Sequence, residues 1–254
     1  TAQLIIKVTA KTVVTLSDDV KAVDSEYDGS AKTGYEGSVF WNGSNGKVNI
    51  AEADTTILYS GTTAAGEEYG PSKEKPTQAG NYKISFGVDN AQYNGNKVIS
   101  FAITKKAIDV SKVSLKQKYY EYTGQKITAI LQASSVPREV TYTVTGDQAT
   151  NAGSYQMVVT YQVKDSNYEQ PEAATFNWMI TKAAYDISAI TWNYTEAYTY
   201  DGNRKTVQLK NLPDVLEAAY TGNSEIEPGK YTATAQLQFK DTAMSNNYTV
   251  GDVA

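Results

Sequence analysis

Asn151-Ala152-Gly153-Ser154-Tyr155 is the stretch whose reading decides the fold. It has one relative upstream, Gln78-Ala79-Gly80-Asn81-Tyr82, and one downstream, Glu227-Pro228-Gly229-Lys230-Tyr231. Each runs into an alternating segment: Lys83-Ile84-Ser85-Phe86, Gln156-Met157-Val158-Val159 and Thr232-Ala233-Thr234-Ala235. A Gly two residues before a Tyr at the head of a strand predicts a tyrosine corner. The Gly is expected to turn the chain, the ring to enter the core, and the hydroxyl to bond back to upstream backbone. Tyr82, Tyr155 and Tyr231 are therefore read as structural, and three copies predict three β-sandwich modules.

Other signatures recur in the same order around the corners. Tyr27-Asp28-Gly29, Tyr122-Thr123-Gly124 and Tyr200-Asp201-Gly202 each end a strand with a Gly turn. Asn90-Ala91-Gln92-Tyr93, Asp165-Ser166-Asn167-Tyr168 and Ser245-Asn246-Asn247-Tyr248 follow the corners. Two strands close on Ile-Thr-Lys, at Ile103-Thr104-Lys105 and Ile180-Thr181-Lys182. The period is about 80 residues, which divides the chain into repeats at 1–105, 106–182 and 183–254. Ile108, Val110, Val113 and Leu115 align without gaps on Tyr185, Ile187, Ile190 and Trp192. With no Gly, Ser or Pro linker between repeats, the spacing predicts an elongated rod. Trp178 and Trp192 fall on inward positions, in register with Phe101 and Leu115.

The set as a whole resembles the MBG/YDG-type and bacterial Ig-like repeats of Gram-positive surface adhesins. Tyr200 to Gly202, Tyr220 to Gly222, Pro228 to Tyr231, Asn247-Tyr248 and Ile180 to Lys182 carry the likeness. It implies three tandem Ig-like sandwiches, an all-β fold, and an extracellular, cell-wall-attached stalk or adhesive protein without catalytic residues. A β-grasp-like module is the alternative fold. It is disfavoured because no helical period of ten or more residues occurs.

Composition excludes several chemistries. The 254 residues contain 20 Tyr but no Cys and no His. Thiol nucleophiles, imidazole bases, the usual zinc sites and disulfides are thereby ruled out. A Cys-free chain fits an exported Gram-positive protein. The net charge is −5 with scattered cations, which argues against a nucleic-acid partner. No apolar run is long enough for membrane insertion. No carboxylate pair is positioned for glycoside hydrolysis, so no enzyme and no cofactor are expected. No Asp-x-Asp-x-Asp-Gly loop exists, so no metal is expected, and Asp109 and Asp186 are read as structural hydrogen-bond acceptors.

The first repeat is enlarged around 37–53 and 62–75. These insertions bring Phe40, Trp41 and Tyr69, with Tyr59 between them. Gly and Asn flank Trp41, which predicts an exposed turn. Exposed aromatic rings suit a glycan, mucin or host-protein partner, because they offer contact area at low entropic cost. Those four residues form the candidate ligand site. The third repeat has no counterpart of the closing strand, which predicts an open sheet edge. Leu4, Ile6 and Val8 alternate like a closing strand with no corner before it. Adding that strand to the open edge of another copy predicts head-to-tail self-association; the alternative is that residues 2–8 only extend the first strand of their own repeat.

Overall fold

The computed structural model describes residues 9–194 and 196–253. Its secondary structure is all-β, with one short helix at Thr242–Asn247. No helix among the described residues is long and apolar enough to cross a membrane. Residues 1–8, including the alternating segment at 2–8, lie outside the described residues.

Each corner heads a strand: Gly80–Asp89, Gly153–Val163 and, three residues after Tyr231, Thr234–Phe239. On one side each corner strand has a partner strand: Thr55–Thr63 and Leu216–Thr221 pair antiparallel with the first and third, and Val140–Thr145 lies hydrogen-bonded beside the second. On the other side the first two pair antiparallel with closing strands, Tyr93–Thr104 and Ala174–Thr181. The strand before each Tyr-x-Gly triplet, Ser25–Glu26 or Tyr119–Glu121, then runs parallel to the closing strand. Thr234–Phe239 pairs only with Leu216–Thr221 among the described residues.

Alternation explains the core. In the first corner strand, Tyr82, Ile84, Phe86 and Val88 are buried, and the residues between them are more exposed. They pack with Tyr59, Phe101 and Ile103. The second corner strand buries Met157, Val159 and Tyr161 in the same way. The third core is small: Ile190, Leu216 and Leu237, with Tyr185 and Phe239 packed against them. Trp192, expected inside, is only half-buried and meets Tyr220 edge-on at 6.1 Å.

The backbone separates into two compact units. One runs through Ser111 and adds Pro137–Thr141 and Tyr161–Glu172; the other takes Lys112–Val136, Tyr142–Thr160 and the chain from Ala173 on. The units therefore cut across the second sequence repeat.

The triplet glycines explain their own recurrence. Gly29, Gly124 and Gly202 have φ of +82°, +76° and +77°, where a Cβ is strained. The residue before each Gly fastens the turn. Asp28 accepts from the Ser30 N–H at 2.8 Å, Thr123 from the Gln125 N–H at 3.3 Å, and Asp201 from the Asn203 N–H at 2.9 Å. The Lys32 ammonium, with Ser30, holds the Asp28 carboxyl well below the usual range; Lys205, with Asn203, lowers that of Asp201.

Candidate functional site

The corner tyrosines share one geometry. Tyr82 donates to the Gln78 carbonyl at 2.9 Å, Tyr155 to the Asn151 carbonyl at 2.7 Å, and Tyr231 to the Glu227 carbonyl at 3.1 Å. Tyr82 lies opposite Phe101, with ring centroids 5.5 Å apart, and Tyr155 lies opposite Trp178 at 4.9 Å. Tyr231 has no such partner ring among the described residues and is 52% exposed. The corner Gly has a different task from the one expected. A Cβ on Gly80 would meet the Thr62 carbonyl oxygen at 2.4 Å and the Tyr82 hydroxyl at 3.0 Å, and one on Gly229 would meet the Tyr231 ring at 2.9 Å. At the first and third corners the Gly clears space for the tyrosine two residues on, whereas at the second Gly153 has φ +159° and a Cβ would touch the Tyr155 hydroxyl only at an ordinary 3.4 Å.

The four candidate ligand-binding residues do not form one surface. Trp41 is not on an exposed turn: it is 1% exposed and belongs to the core of the first unit. Its strand, Trp41–Gly43, pairs with Gly46–Val48, so the Asn and Gly beside it continue the strand and the hairpin turn, Ser44-Asn45, follows them. The indole N–H donates to Thr55 Oγ1 at 3.2 Å. Tyr59 is 3% exposed and donates to the Thr33 carbonyl at 3.1 Å. Burial pushes its phenol up to about 12. Phe40 is half-buried under the Lys47 ammonium, 4.7 Å from the ring centroid. Tyr69 is half-buried, packs edge-on against Tyr82 at 5.6 Å, and donates to the Glu74 carbonyl. It lines a shallow groove with Tyr82 and Lys83, and a second groove lies at the same repeat position beside Tyr155 and Gln156. Such repetition makes the groove a product of the strand pairing.

Sequence reasoning missed two buried asparagines, and they bring the repeated motifs together. Asn167 is 1% exposed and Asn247 is 9% exposed. Asn167 belongs to the second repeat, yet its Oδ1 accepts from the Ala79 N–H of the first corner at 2.7 Å. Its Nδ2 donates to Gln78 Oε1 and, at 2.7 Å, to Asp165 Oδ1. Asn247 belongs to the third repeat, and its Oδ1 accepts from the Ala152 N–H of the second corner at 2.8 Å. Its Nδ2 reaches Asn151 Oδ1 at 3.4 Å and donates to the Ala243 carbonyl at 3.1 Å. A buried carboxamide is costly unless both its ends are bonded. Here each end is bonded by the first two residues of the preceding corner.

The tyrosine after each Asn completes the contact. Tyr168 meets Tyr27 edge-on at 5.7 Å, and Tyr248 meets Tyr122 edge-on at 5.1 Å. The Tyr27 N–H donates to the Thr104 carbonyl and the Tyr122 N–H to the Thr181 carbonyl, both at 2.9 Å. That bond ties each triplet to its Ile-Thr-Lys strand. One residue past that Lys, the chain pairs in parallel with the Asn-Tyr segment: Lys106 with Tyr168, and Ala183 with Tyr248. Each junction lies wholly within one compact unit. The recurrence of Asn before Tyr was the available signal, but burial of a loop asparagine depends on a corner far away in the chain.

Asp109 and Asp186 accept from the Ser111 and Ser188 N–H groups, each at 2.9 Å. No cluster of three or more Asp or Glu suited to a metal ion occurs among the described residues.

No curated protein matches the chain. The MBG domain family matches it twice, over residues 12–107 and 109–184. The first match ends within three residues of Thr104 and the second within three of Thr181, so each runs from a lead segment to just past a closing strand. By these two matches, which take in most of its length, the chain belongs to the MBG domain family.

Proposed function

We propose that this chain is a non-catalytic spacer: tandem Ig-like β-sandwich modules on the outside of a bacterial cell, holding another part of the parent protein away from the surface. One observation carries the reading. The same contacts, an Asn in the preceding corner and a Tyr against the preceding Tyr-x-Gly, are made at both repeat junctions. A binding protein needs one good surface, whereas a spacer needs the same joint over and over. The lack of a flexible linker supports the same reading, since only one residue separates the strand Ala174–Thr181 from Ala183–Ala184. The Cys-free and His-free composition suits a chain exported without disulfides. An adhesive role through Phe40, Trp41, Tyr59 and Tyr69 gains no support, because two of the four are core residues. Small-angle scattering of the full chain tests the spacer. An extended distance distribution with a long tail is expected, and the distribution of a compact particle would overturn the reading.

A further inference from the structure

We infer that the first two residues of each tyrosine corner are a recognition code for the repeat that follows. This rests on the spacer reading and adds to it what makes one repeat accept the next. The socket has two parts. A side-chain carbonyl at the first position, Gln78 Oε1 or Asn151 Oδ1, faces the Asn Nδ2. A backbone N–H at the second position, on Ala79 or Ala152, faces the Asn Oδ1. One acceptor beside one donor is the complement of a carboxamide, which carries its donor and its acceptor on separate atoms of one planar group. Aspartate lacks the donor, and the ammonium of Lys lacks the acceptor.

The third corner keeps a side-chain acceptor but lacks the backbone donor. Its first position is Glu227, and its second is Pro228, which carries no N–H. An asparagine brought there would bury an unsatisfied Oδ1. The finger varies too. At the position of Asn167 and Asn247, the first repeat has the exposed Gln92, although Tyr93 pairs in parallel with Thr12 as Tyr168 does with Lys106. The asparagine joint therefore links the first repeat to the second and the second to the third. The Glu227-Pro228 corner refuses the same kind of neighbour.

Residue-resolved hydrogen exchange on the full chain tests the code. Asn167→Ala should speed exchange of the Ala79 amide about tenfold, and Asn247→Ala that of the Ala152 amide about tenfold, the loss of one buried hydrogen bond. The Ile84 and Met157 amides should not change, which shows the repeats still folded. The double variant Asn151→Glu/Ala152→Pro transplants the third corner into the second. Proline is compatible with the corner backbone, because Pro228 already occupies it with the Tyr231 hydroxyl bond intact. This variant should loosen Lys240 to Thr249 as much as Asn247→Ala does. Unchanged Ala79 and Ala152 amides in the alanine variants, or a transplanted corner that keeps Lys240 to Thr249 fully protected, would overturn the proposal. Scattering reads particle shape and exchange reads two amides, so the spacer and the code can fail separately.

Discussion

Trp41 shows how far a single residue can stand from its sequence context. Its neighbours are turn formers, but its ring fills the space beside Gly95, where a Cβ would meet it at 2.8 Å. Trp41→Ala is expected to lower unfolding stability by about 3–5 kcal/mol, the usual cost of emptying a buried aromatic site. Chemical denaturation measures this, and a loss under 1 kcal/mol would contradict the core assignment. Tyr59 makes a second prediction. Burial, then the nearby Tyr35 and Tyr69, raise its phenol to about 12 in the folded state, against about 10 when unfolded. The unfolded chain thus ionises first. The contribution of Tyr59 to stability is full below about pH 10 and is lost as pH climbs from there to about 12. Tyr35, Tyr82 and Tyr161 are shifted the same way by burial. Thermal melts should therefore be level through neutral pH and fall on the alkaline side, less steeply for Tyr59→Phe. Equal slopes for variant and parent would remove Tyr59 as a cause.

Among the elements, the corner, partner and closing strands were readable from the sequence because three independent signals agreed. Alternation gave the buried face, the recurring glycines gave the ends, and the shared Ile-Thr-Lys ending gave the register of Trp178 on Phe101. The insertions were readable as insertions but not as structure. Trp41–Gly43 and Gly46–Val48 are too short for alternation to speak, and the strand Glu68–Ser72 pairs with Thr55–Thr63 through a bulge near Tyr59. The junction was unreadable for another reason. Asn167 and Asn247 look like loop residues, and only the fold brings Ala79 and Ala152 to them. Pairing also sets element stability. Gly80–Asp89 and Gly153–Val163 are bonded on both sides, while Thr234–Phe239 has one strand beside it among the described residues. Amides lacking a ladder partner open by local fluctuation. Alternate amides of Thr234–Phe239 should exchange faster than any in the other two corner strands under the same conditions. Matching protection across all three would mean that another segment covers that edge.

For the whole molecule, that edge and the lead segment at 2–8 bear on association between copies. The edge offers main-chain groups beside a small core in which Leu237 is buried. Aligning Val8-Thr9 with Ile103-Thr104 places Ile6 on Phe101 and Leu4 on Ile99, the inward positions of a closing strand. A strand of that pattern from one copy can pair with the Thr234–Phe239 edge of another by main-chain bonding. Donor and acceptor lie on different parts of the chain, so the contact is heterologous and need not close into a ring. The expected outcome is a sedimentation coefficient that climbs with concentration for the full chain and stays constant once residues 1–8 are deleted. Asn247→Ala should leave this association unchanged, because the asparagine bonds to the second corner and not to the Thr234–Phe239 edge. A full-length chain that stays monomeric at high concentration would sink strand addition. Association that persists without residues 1–8 would place the contact elsewhere on the surface.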